Sequence, residues 1–259
     1  MIVGIDLDNT IIDYSNVLLK ISREKRLNTN KNLKENLKKF LLQKSKKEWT
    51  KLQGEIYGNR IFDAKIYKGF LQFLKFAKKS DIKVIVISHK TKFPIIGKKY
   101  NLHKFALDFL NKNTKKNIFK PNKNLFFERT INKKIKKIKE VECDYFIDDL
   151  EKIFLNKNFP FLTKKLLFKG NDKKIKSFDS WKMIISYFKN QIKENKKLKG
   201  RNNKSYTLDK NIFIKKFLNS SLNFKRELKF SSFLNDNHIK YIPKIKDISK
   251  KNLVIKYEY

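Results

Sequence analysis

The chain has 259 residues with 63 Lys and Arg against 25 Asp and Glu, a net charge of +38, and one cysteine, Cys143. That length can bury a sizeable core in one or two domains; a lone cysteine excludes an intramolecular disulfide, and no apolar run reaches the roughly 18 residues of a membrane span. No signal peptide is visible, because the first apolar run breaks at Asp6, so a reducing cytoplasm is the expected setting and no membrane partner is expected.

Ile2-Val3-Gly4-Ile5 is a short β-branched apolar run of the kind that forms a strand buried on both faces, and it ends in Asp6-Leu7-Asp8-Asn9-Thr10. Carboxylates just past the carboxyl end of such a strand lie in the crevice where open α/β sheets bind ligands. A loop here lets Asp6 and Asp8 converge, as a divalent metal needs, since hard cations such as magnesium take oxygen ligands. A polar turn with an incidental acidic pair is the alternative reading of these five residues. From Tyr14 to about Asn59 the pattern is helical, with Val17, Leu18 and Ile21 on one stripe and Leu33, Leu37, Phe40 and Leu41 on another. Ser45-Lys46-Lys47-Glu48 has capping-box spacing and places a helix start before Trp49, Leu52 and Ile56. About 45 residues exceed what a single crossover needs, which makes 14–60 a small helical insert.

Phe70, Leu71, Phe73, Leu74 and Ala77 then mark a helix face packed on a sheet. Asp81 breaks it, and Lys83-Val84-Ile85-Val86-Ile87 reads as a buried parallel strand running into Ser88-His89-Lys90-Thr91. The Ser88 hydroxyl there could hold a phosphate oxygen or serve only as a turn residue; His89 is expected in a structural or substrate-contact role, and no Cys/His spacing suggests zinc. Pro94, Gly97, Tyr100 and His103 lead into a helix carrying Phe105, Ala106, Phe109 and Leu110. After a polar link from Lys112 to Lys123, Leu125-Phe126-Phe127 forms a short strand. A helix from about Asn132 follows, with Ile131, Ile135 and Ile138 inward and Lys133, Lys134, Lys136, Lys137 and Lys139 mostly on a solvated face. Cys143 to Ile147 is a strand ending in Asp148-Asp149. Two adjacent carboxylates repel one another, so a bound cation is a natural stabiliser, although an acidic helix start is a simpler explanation for the pair alone. A strand at Leu166-Leu167-Phe168 and a helix with Trp181, Ile184, Ile185 and Phe188 complete the sheet near residue 190.

Taken in order, Asp-x-Asp-x-Thr, a strand-end Ser, a helical Lys and a strand-end Asp-Asp resemble the motifs of the haloacid dehalogenase (HAD) superfamily of phosphohydrolases. The resemblance implies an α/β fold for residues 1–190, with a Rossmann-like parallel sheet and a small helical cap insert at about 14–60. It further implies a magnesium-dependent enzyme that cleaves a small phosphomonoester. Asp6 would be the nucleophile and Asp8 the acid and base. Ser88 and Lys134 would bind the phosphate, with Lys133 and Lys137 as other candidate lysines, and the metal would be held by Asp6, Asp148, Asp149 and the backbone carbonyl of Asp8.

Residues 191–199 read as a charged linker, and 200–259 as a small α+β fragment. Lys215 within Phe213-Ile214-Lys215-Lys216-Phe217 and Glu227 within Phe224-Lys225-Arg226-Glu227-Leu228 resemble the amino-terminal lobe of aminoglycoside and choline kinase-like phosphotransferases. In such enzymes a strand lysine held by a helix glutamate orients nucleotide phosphates. With no catalytic loop before Tyr259, the chain is not expected to be a kinase by itself, and a separate kinase carboxyl-terminal lobe is a candidate partner. A small phosphorylated metabolite is the expected substrate. The basic charge would also suit nucleic acid, but only six of the basic residues are arginine, the side chain that bidentate recognition favours, and Lys, Asn, Ile and Phe share A/T-rich codons. Nucleic acid is therefore the less favoured partner.

Overall fold

In the computed structural model the described residues are 1–27, 33–172, 174–198, 205–209, 212–216, 244–249 and 254–258. They divide into two compact units, Met1–Tyr187 and Phe188–Tyr259.

In the first unit the elements in chain order are β1 (Ile2–Ile5), β2 (Ile12–Asp13), α1 (Ser15–Glu24), α2 (Leu33–Lys44), α3 (Lys46–Tyr57), a 3-10 turn (Asn59–Asp63), β3 (Lys65–Ile66) and α4 (Phe70–Lys79). They continue with β4 (Lys83–His89), α5 (Leu102–Asn113), β5 (Leu125–Glu128), α6 (Ile131–Glu140), β6 (Tyr145–Asp148), α7 (Glu151–Phe154), β7 (Lys164–Phe168) and β8 (Lys176–Phe178). Helix α8 (Trp181–Leu198) runs across the boundary between the units. Six strands form one parallel sheet in the order β5-β4-β1-β6-β7-β8. The fold is α/β with a Rossmann-like parallel sheet.

Strand β1 sits in the middle of that order, pairing with β4 on one side and β6 on the other. All strands run the same way, so the carboxyl ends of β1, β4 and β6 share one edge. Those ends carry Asp6, Ser88 and Asp148, which is why residues far apart in the chain meet in one crevice. Close packing of β1 leaves no room for a side chain at Gly4: a Cβ there would lie 2.5 Å from the Phe146 ring and 2.7 Å from Cys143 Sγ. Beneath the crevice, Ile85, Ile87, Ile135, Ile138, Phe146, Ile153 and Phe154 form one buried cluster. On α4, Phe70 and Phe73 each place their rings 4.9 Å from Trp181, and the Trp181 indole donates to the Thr10 carbonyl at 3.1 Å. The opening loop is thereby tied to the start of α8.

The insert expected at 14–60 is three helices and the 3-10 turn, and its stem is a two-strand antiparallel pair, Ile12 with Ile66 and Asp13 with Lys65. Val17 and Ile21 of α1 and Leu37 and Leu41 of α2 are buried, as the stripes require. Ser45 caps α3 by accepting from the Glu48 amide at 3.2 Å.

Residues 191–198, expected as a linker, continue α8 as helix. Gln, Lys, Glu and Leu are good helix formers, while the charge run carries no apolar stripe for periodicity to detect. In the second unit β9 (Ser205–Asp209), β10 (Ile212–Lys216), β11 (Lys244–Ser249) and β12 (Val254–Glu258) make an antiparallel sheet in the order β11-β12-β10-β9. Lys215 lies on β10, and Glu227 lies outside the described residues. Among the described residues no helix is long and apolar enough to cross a membrane.

Candidate active site

The loop after β1 shapes the site first. Asn9 adopts a left-handed backbone, φ 60°, a conformation asparagine tolerates better than most residues. The Ile11 and Ile12 amides both return to the Leu7 carbonyl at 2.9 Å. This tight turn lets Asp6 and Asp8 both line one cavity of about 380 Å³. Helix α3 contributes Thr50, Gln53, Gly54 and Tyr57 to its wall, and Lys34 comes from α2.

Asp6, buried to 5% exposure, accepts from Lys134 Nζ at 2.6 Å, and the same ammonium donates to Asp148 Oδ2 at 2.6 Å. Lys134 is 1% exposed although it belongs to a lysine-rich helix whose neighbour Lys133 is exposed. Burial works against its charge, but the Asp148 and Asp6 carboxylates override that and hold the ammonium above the usual lysine value. Thr130 starts this helix by accepting from the Lys133 amide at 3.2 Å. Asp148 is oriented from its other oxygen, which accepts from the Leu150 amide at 2.9 Å.

Asp6, Asp148 and Asp149 each offer a carboxylate oxygen within 4.8 Å of the others. Burial pushes the Asp6 carboxyl well above the usual range; Lys134 opposes this, and Asp148, Asp149 and Asp8 add repulsion. The Asp149 carboxyl is pushed up to about 7, by burial first and Asp148 second, against the pull of Lys134 and Lys34. Three carboxylates crowded this closely, two of them buried, suit a hard divalent cation with oxygen ligands. These residues fit magnesium. The Asp8 carboxylate stands outside the trio and pairs with Lys90 instead, Nζ to Oδ2 2.8 Å.

Ser88 lines the cavity at 1% exposure, and its Oγ has no hydrogen-bond partner among the described residues. A buried hydroxyl left without a partner is unfavourable unless something completes it. His89 also borders the cavity, with Nε2 3.0 Å from the Arg129 carbonyl.

Sequence reasoning missed three groups around Asp8. Lys90 is 4% exposed and forms the ion pair; Tyr14 donates to Asp8 Oδ1 at 2.6 Å; Tyr57 lies with its ring 4.7 Å from Lys90 Nζ and edge-on to Tyr14 at 5.3 Å. Burial and the Asp8 charge raise both phenols, so Tyr14 stays a donor. The available signal was a lysine two residues beyond a strand-end serine.

The sequence matches no protein-family profile. No curated protein matches it either. A solved structure of a HAD-superfamily hydrolase, subfamily IA, variant 1, from Geobacter sulfurreducens PCA is similar at a TM-score of 0.45 and 11% identity, over 72% of this chain and 95% of that one.

Proposed function

We propose that the chain is a magnesium-dependent phosphohydrolase acting on a small phosphomonoester through an aspartyl-phosphate. The observation that supports this most is the Lys134 bridge, 2.6 Å to Asp6 and 2.6 Å to Asp148, at a cavity that also holds the unpartnered Ser88 hydroxyl. Asp6 attacks phosphorus as the bond to the leaving oxygen breaks, and Asp8 gives that oxygen a proton. Asp8 then takes a proton from water, the water oxygen attacks phosphorus, and the Asp6 bond breaks to release inorganic phosphate. Lys134 and Ser88 hold the phosphoryl oxygens where charge develops. Asp6, Asp148 and Asp149 would hold magnesium, joined by the Asp8 carbonyl; the ion would offset the repulsion between nucleophile and phosphate. A cavity of about 380 Å³ suits a small metabolite.

A screen of phosphorylated metabolites with and without magnesium tests the reading. Asp6→Asn should fold and lose turnover by more than about a thousandfold, because an amide cannot serve as the nucleophile. Activity like that of the wild type in this variant overturns the assignment.

A further inference from the structure

We propose that Lys90 is a positioning residue that, with Tyr14, holds the Asp8 carboxylate in the orientation for proton transfer to the leaving oxygen; this rests on the phosphohydrolase reading. Lys90 is 82 positions from Asp8 in the chain, yet its Nζ lies 2.8 Å from Asp8 Oδ2 and 3.1 Å from Oδ1. Its side chain is 3% exposed, and a buried ammonium is costly unless a partner compensates it, so the pair is a built feature and not a surface contact.

The backbone around Lys90 is held as firmly. Its amide donates to the Glu128 carbonyl at 2.9 Å, and its carbonyl lies 3.0 Å from His103 Nε2, whose ring stacks on Phe127 at 4.4 Å. The stem just past β4 is therefore anchored from two sides. From the insert, the Tyr57 ring lies 4.7 Å from the ammonium and Tyr57 meets Tyr14 edge-on.

At Asp8, Oδ1 accepts hydrogen bonds from both Tyr14 and Lys90, while Oδ2 lies in the ion pair with the Lys90 ammonium. Oδ2 keeps the freer lone pair and is the oxygen suited to exchange a proton with the leaving group. Proton transfer needs hydrogen-bond reach, so a carboxylate free to rotate would lose rate without losing substrate binding. The phosphoryl group has Lys134 and Ser88 for its own oxygens, and Lys90 spends its donors on Asp8.

Leaving-group dependence separates this role from a structural one. A p-nitrophenolate leaves without help, whereas an alkoxide needs the proton. The kcat of wild type and Lys90→Met is measured on p-nitrophenyl phosphate and on glycerol phosphate, with folding checked by thermal melting. The loss on glycerol phosphate should exceed that on p-nitrophenyl phosphate by about tenfold or more, with KM little changed, and Lys90→Arg should recover part of it. Tyr14→Phe should act in the same direction and stands in if Lys90→Met does not fold. Equal losses on the two substrates, or a change confined to KM, overturns the proposal. A wild type that turns over the aryl ester alone also overturns it, since that reaction needs no proton from Asp8. A wild type inactive on both overturns the phosphohydrolase reading and this role with it.

Discussion

Lys134 and Asp6 stand 128 positions apart in the chain and 2.6 Å apart in the fold, and the same ammonium reaches Asp148 at 2.6 Å. All three side chains are at most 7% exposed. Lys134→Met leaves two carboxylates without their cation, a change that costs about 3–5 kcal/mol in a buried pair. The variant should melt at a lower temperature without metal and regain part of the loss when magnesium is added. Its kcat should fall at least about a hundredfold, as when one donor to a developing charge is removed. An unchanged melting temperature would show that Lys134 does not hold the cluster together.

Ser88 separates stability from activity in the opposite sense. Its buried Oγ makes no hydrogen bond among the described residues, so Ser88→Ala loses none there. The variant should be as stable as the wild type or slightly more so, and should show kcat/KM on phosphomonoesters reduced by about tenfold to a hundredfold. A stability loss with normal kinetics would assign Ser88 to the core.

Metal and pH should act on one another through Asp149. Its folded pKa of about 7 lies above the usual 3.8 because of burial and the neighbouring Asp148. A carboxyl raised in this way stabilises the metal-free fold below its unfolded value, and that contribution is lost as pH rises through about 7. Magnesium should therefore raise the melting temperature more near about pH 8 than near about pH 5.5, and Asp149→Asn should flatten that difference. Equal metal-induced shifts at both pH values would remove Asp149 from the metal site.

Gly54 sets how closely α3 approaches the opposite wall of the cavity. A Cβ at this position would lie 2.7 Å from Pro94 Cβ and 3.4 Å from the Ile96 carbonyl. A proline ring and backbone cannot swing aside, so Gly54→Ala should push the insert off that loop. We expect KM to rise about fivefold or more, with a smaller change in kcat, because Asp6 and Lys134 are held by the sheet and α6. Unchanged KM would mean the insert does not close the substrate cavity.

Local rules were enough to read much of the fold from the chain alone. The β-branched runs at Ile2–Ile5 and Lys83–Ile87 are strands, the Ser45 cap accepts from Glu48, and the isoleucine spacing on 131–138 turns Ile135 and Ile138 inward. Strand β8 escaped because three residues with one buried side chain carry no period, and the stem between Ile12–Asp13 and Lys65–Ile66 is shorter still. Helix α8 runs through 191–198, where charge had masked the helical propensity.

At the site the same division holds. That Asp6, Asp8, Ser88, Asp148 and Asp149 share one crevice was legible because each lies at or just past the end of an apolar strand, and a parallel sheet gathers such ends at one edge. Among lysines of identical chemistry, spacing favoured Lys134 and left Lys133 as the alternative; the packing of α6 on β4 and β5 buries Lys134 and exposes Lys133. The place of Lys90 two residues beyond a strand-end serine put it near the crevice, but nothing local paired it with Asp8 or brought Tyr14 to the same carboxylate. Those contacts depend on the register of β1 against β4 and on where the insert returns the chain. Sequence by itself determined which residue types end the strands; tertiary structure decided which charges meet, because electrostatic partners are set by distance in space and by exclusion of water, and neither is a property of neighbouring positions along the chain.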